Sequence, residues 1–138
     1  MTKAQKLRLC NWTLLIVAPL MLASGIQLEV TQGQDPAFVW LHTALGIAFV
    51  SLAVWHISLN LKWGNWFGKF KKMKNHVTWM LWWFFLLTIV SAAIALTHWL
   101  DAQTHSPLGG LHGKMGLAMM VVAIGHTLRR IWFFKRKK

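Results

Sequence analysis

Four long apolar stretches, parted by short polar segments, leave this chain little choice of fold. They run from about Trp12 to Leu28, from about Pro36 to Leu61, from about Val77 to Leu100 and from about Pro107 to Phe134, the last being apolar as far as Leu128. A bilayer-spanning helix needs about 20 mainly apolar residues. No ionisable residue falls between Trp12 and Leu28 or between Val77 and Thr97. In hydrocarbon every backbone N–H and C=O needs an internal partner, so a stretch of this kind must be helical. Short connections make consecutive helices antiparallel neighbours. The expected fold is therefore all-α, an integral membrane up-down-up-down four-helix bundle, with residues 1–138 as one domain.

The segment boundaries agree with this. Asp35-Pro36 and Ser106-Pro107 each set a capping residue before a proline at the first helical position, and Asn75 is a third capping candidate. The run from Lys3 through Ala23-Ser24-Gly25 also has the layout of a secretory signal, although its apolar part is long for one.

Charge sets the expected orientation. Fifteen Lys and Arg against three Asp and Glu give a net charge of +12, a balance that in a polar chain points to nucleic acid. Here hydrophobic residues are 56% and charged residues 13% of the chain, and the charges are sorted by side. Lys3, Lys6 and Arg8 precede the first span, Lys62, Lys69, Lys71, Lys72 and Lys74 join the second to the third, and six basic residues follow Leu128. Glu29, Asp35 and Asp101 fall on the other side, where Lys114 is the one basic residue. The positive-inside rule then puts both termini of a multi-pass protein in the cytoplasm. The basic side meets anionic membrane lipid, and no nucleic-acid partner is expected. Trp12, Trp63, Trp66, Trp79 and Trp132 on one side and Trp40 and Trp99 on the other fit interfacial belts.

An ionisable residue inside a span marks function by default. His42 and His56 lie fourteen residues apart in the second stretch, and His112 and His126 lie fourteen apart in the fourth. Fourteen residues make nearly four helical turns, so each pair shares a face, about 21 Å apart along the axis. The second and fourth helices of such a bundle run parallel. That sets His42 opposite His112 and His56 opposite His126, two imidazoles at each of two levels. Zinc prefers four ligands, and every carboxylate here lies outside the spans. Two nitrogen ligands per level suit haem iron, whose equatorial positions are already filled. The single cysteine, Cys10, rules out covalent c-type attachment through C-x-x-C-H, so two haem b groups are implied. Gly46 follows His42 by four residues and Gly116 follows His112 by four, an L-H-x-x-x-G pattern that repeats. A glycine one turn along the ligand's face makes room for a porphyrin; close helix contact, to which Gly109 and Gly113 also contribute, is the alternative use. Met115, Met119 and Met120 read as packing residues, and Cys10 as an inert thiol near one membrane face.

With these histidines, and with the segment Trp55-His56-Ile57-Ser58-Leu59-Asn60-Leu61-Lys62-Trp63, the chain from about residue 10 to 133 resembles the bacterial four-helix di-haem b-type membrane cytochromes, most closely the flavinylation-associated cytochrome family. The resemblance implies a bacterial inner (cytoplasmic) membrane protein and electron transfer between the quinone pool and a periplasmic or other extracytoplasmic flavin- or haem-containing protein. The chain would then be a quinol-linked oxidoreductase or an electron-transfer subunit. It has no C-x-x-C and no G-x-G-x-x-G of its own, so a flavin would belong to the partner.

Asn60 and Arg130 follow His56 and His126 by four residues and are candidate haem-propionate donors. Asn60 can equally end a helix, and Arg130 can snorkel to headgroups. Lys114, two residues past His112, is a candidate propionate or quinone contact. His98, Asp101 and His105 cluster at the outer end of the third stretch and could take protons from a quinol, though solvated loop residues are the plainer reading. His76 sits among lysines at the opposite side. Two other functions compete: a His-lined metal or proton transporter, and a structural membrane subunit.

Overall fold

A computed structural model describes residues 1–60, 76–102 and 107–135, with the side chains of the last helix as far as Arg129. It is all-α: α1 (Lys3–Thr31), α2 (Pro36–Asn60), α3 (His76–Ala102) and α4 (Pro107–Lys135). The helices pack in two pairs, α1 with α2 and α3 with α4, each pair forming a compact unit. All four are long and apolar enough to cross a membrane, so the chain is a multi-pass membrane protein.

Helix α1 is longer than its apolar stretch. It begins at Lys3 because Thr2 and Gln5 form a capping box: Gln5 N–H donates to Thr2 Oγ1 and Thr2 N–H donates to Gln5 Oε1. It ends past Leu28 at Thr31, where Gln32 takes up a left-handed conformation and Gly33 follows at φ +65°. Gly33 N–H donates to the Leu28 carbonyl at 3.0 Å, closing the helix end in a conformation that favours glycine. Asp35 then caps α2 as its sequence indicates, its Oδ1 accepting from Ala37 N–H at 2.9 Å. Helix α4 starts at the expected proline, Pro107. Ser106 and Asn75, the other two capping candidates, lie outside the described residues.

The first hairpin is antiparallel. Cys10, fully buried on α1, donates its thiol to the Leu52 carbonyl near one end of α2, while Ser24 meets His42 near the other. Among the described residues the buried hydrophobic side chains are Cys10, Val39, Phe85 and Met119, whereas Trp12, Ile16, Ile47, Val90 and Val121 all stand more than half exposed. The helices are apolar around their whole circumference, the pattern of a chain whose solvent is lipid. Hydroxyls within the spans are met by their own helices. Thr43 donates to the Val39 carbonyl, Ser51 to that of Ile47, Thr88 to that of Phe84 and Thr127 to that of Ala123. Such back-bonding satisfies polar groups that hydrocarbon cannot.

Candidate histidine sites

Each hairpin carries two histidines on its second helix. One lies near the end where the two helices are joined, the turn end; the other lies near the open end. His42 and His112 are the turn-end pair, on α2 and α4 respectively. His56 and His126 are the open-end pair on the same two helices. All four are partly buried.

At the turn end of the first hairpin, Ser24 Oγ of α1 lies 2.8 Å from His42 Nδ1. The serine is itself buried, at 7% exposure, and its hydroxyl donates to the Met21 carbonyl at 2.9 Å. The next residue, Gly25, leaves α1 without a side chain against the ring: a Cβ there would stand 3.3 Å from His42 Cε1. The second hairpin repeats the arrangement. Ser91 Oγ of α3 lies 3.2 Å from His112 Nδ1 and donates to the Thr88 carbonyl at 3.1 Å.

At the open end of the first hairpin one residue that meets His56 belongs to the same helix. Asn60, the last residue of α2, donates Nδ2–H to the His56 carbonyl at 2.7 Å, and Nδ2 lies 3.4 Å from His56 Nε2. His56 Nδ1 is fully buried.

The other candidates are more scattered. A Cβ on Gly46 would lie 3.6 Å from Met21 Cε of α1, so this glycine faces its hairpin partner. A Cβ on Gly116 would meet no atom within 4 Å among the described residues. His98 and Asp101 are exposed near the end of α3, Lys114 is exposed on α4 and His76 is exposed at the start of α3. Among the described residues no three His, Cys, Asp or Glu side chains gather as a metal site. His105, Lys62, Trp63 and the Arg130 side chain lie outside the described residues.

Ser24, Gly25, Thr88 and Ser91 did not stand out in the sequence as site residues. Their one signal was a small polar residue deep in an apolar run, which reads equally as a helix-packing residue. Comparison of the chain with protein-family models, with curated proteins and with solved structures finds no match.

Proposed function

We propose that this protein conducts electrons across a membrane through two bis-histidine haem b groups, His42 with His112 holding one and His56 with His126 the other. One observation carries the reading: two apolar helices each bear two histidines at the same fourteen-residue interval. A histidine in a span is costly without a role, and a packing role gives no reason for the interval to repeat. The donor set fits haem rather than a bare divalent cation. It consists of imidazoles alone, with the described carboxylates of Glu29, Asp35 and Asp101 exposed outside the apolar stretches. The serine contacts at His42 and His112 engage Nδ1 in both cases, and the proposal gives the ligand role to Nε2.

Bound haem supplies the one-electron chemistry. The chain's own part is to hold the imidazoles, to keep water away from them with apolar helices, and to order their ring nitrogens through neighbouring hydroxyls. Lys114 and Arg130 are the basic side chains offered to haem propionates. The resemblance to di-haem b-type cytochromes extends the proposal to its partners. Electrons pass between the quinone pool and an extracytoplasmic flavin- or haem-bearing protein, with His98, Asp101, His105 and Lys114 at the quinone contact. The test is a reduced-minus-oxidised spectrum of the purified chain with a haem count. A b-type spectrum with two haems per chain is expected. A colourless protein that binds zinc would replace this proposal with metal transport.

A further inference from the structure

Two serines on two different helices make the same contact, and its chemistry has a direction. A hydroxyl has one proton to give, and a carbonyl oxygen can only accept. Ser24 Oγ lies 2.9 Å from the Met21 carbonyl and 2.8 Å from His42 Nδ1. If the serine gave its proton to Nδ1, two oxygen lone pairs would face each other at the carbonyl. If it gives its proton to the carbonyl, its own lone pair is left for a donor, and Nδ1 must carry the hydrogen. Only the Nδ1–H form of His42 turns both contacts into hydrogen bonds. The same argument holds for Ser91 between the Thr88 carbonyl at 3.1 Å and His112 Nδ1 at 3.2 Å.

We infer that Ser24 and Ser91 are positioning residues that fix His42 and His112 as Nδ1–H tautomers, so that Nε2 holds the lone pair that a metal centre needs. An imidazole otherwise divides its single hydrogen between two nitrogens, and a ligating nitrogen must be the bare one. Each serine sets this choice before any ligand arrives. It also ties ring orientation to hairpin packing, because the serine sits on one helix and the imidazole on the other. An acceptor at Nδ1–H makes the ring a stronger donor toward a metal. For the turn-end haem this favours the ferric state and lowers its potential. The inference rests on the haem reading only for what Nε2 then binds; the tautomer itself follows from the hairpins alone.

The test uses the full chain, produced with and without haem. In the haem-free chain labelled with 15N-histidine, nitrogen shifts should show His42 and His112 as Nδ1–H forms, each assigned by the loss of its signals in His42→Gln or His112→Gln. Ser24→Ala should return His42 to the mixed tautomers of free imidazole and leave His112 unchanged, and Ser91→Ala should do the converse. The unaltered hairpin thus serves as the internal reference for the nitrogen shifts. Ser24→Thr and Ser91→Thr, which keep the hydroxyl, should restore the Nδ1–H form. In the haem-loaded chain both alanine variants should raise the same one of the two potentials. They should also weaken retention of that haem by roughly 10- to 100-fold. Nε2–H forms in the unmodified chain, or tautomers indifferent to both alanine substitutions, would overturn the inference. Serine-dependent tautomers in a chain that shows no haem spectrum would instead sink the haem reading and leave the serine–imidazole bond standing.

Discussion

At the turn end of each hairpin a serine on the first helix reaches the imidazole on the second, whereas at the open end of α1–α2 a polar neighbour of His56 is Asn60 on its own helix. The two kinds of contact arise at different stages. The Asn60 contact is an i, i+4 relation and forms with the helix itself. The Ser24–His42 and Ser91–His112 contacts join residues 18 and 21 positions apart and exist only once two helices have packed. The turn-end imidazoles are therefore oriented by the hairpin, and their geometry is as firm as its packing. At His56, Asn60 Nδ2 stands 3.4 Å from Nε2.

The largest effects that could break this contrast come from the histidines themselves. His42→Ala and His112→Ala should each cut the haem content from two to one per chain, and the haem lost should be the same in both. His56→Ala and His126→Ala should remove the other. Spectra and haem counts of the four variants decide it. Depletion of one and the same haem by His42→Ala and His126→Ala would show that the pairing of levels is wrong.

A smaller effect concerns where a quinol would react. Oxidising a quinol releases protons, so a group able to accept them must stand nearby. The turn end of the second hairpin carries His98 and Asp101 on α3 and the basic Lys114 on α4, while the open end carries His76. Quinol-driven haem reduction should slow by about tenfold or more in His98→Ala or Lys114→Ala chains whose spectra are intact. If His76→Ala slows the reaction and the other two do not, the quinone contact belongs at the open end.

The smallest effect sharpens the contrast without touching a ligand. Asp35→Ala removes the side-chain cap of α2 at the turn end and should cost about 1 kcal/mol of stability in detergent. Asn60→Ala removes a contact made within one helix, so its cost should be smaller and the nitrogen shifts of His42 and His112 should not move. A change in the His42 shifts on Asn60→Ala would mean that the two ends are coupled along α2.

The sequence by itself determined the elements. Four apolar stretches became four helices because hydrocarbon permits no other continuous backbone, and Asp35-Pro36 started α2 where a capping carboxylate and a proline agree. The equal intervals of His42 to His56 and His112 to His126 were also visible there, since helical periodicity is a local rule. The reach of α1 back to Lys3 depended on the Thr2–Gln5 capping box, a short-range signal masked by the charged residues around it. Tertiary structure alone decided that Gly46 faces Met21 and that Gly25 lies against the edge of His42. It also selected Ser24 and Ser91 from the hydroxyl residues of the spans as the ones that meet an imidazole. Every span hydroxyl can bond back to its own helix, so composition does not tell one from another. Which of them also touches a ring depends on the rotation and axial offset of one helix against its neighbour. Side-chain packing sets those quantities, and no periodicity in the chain encodes them.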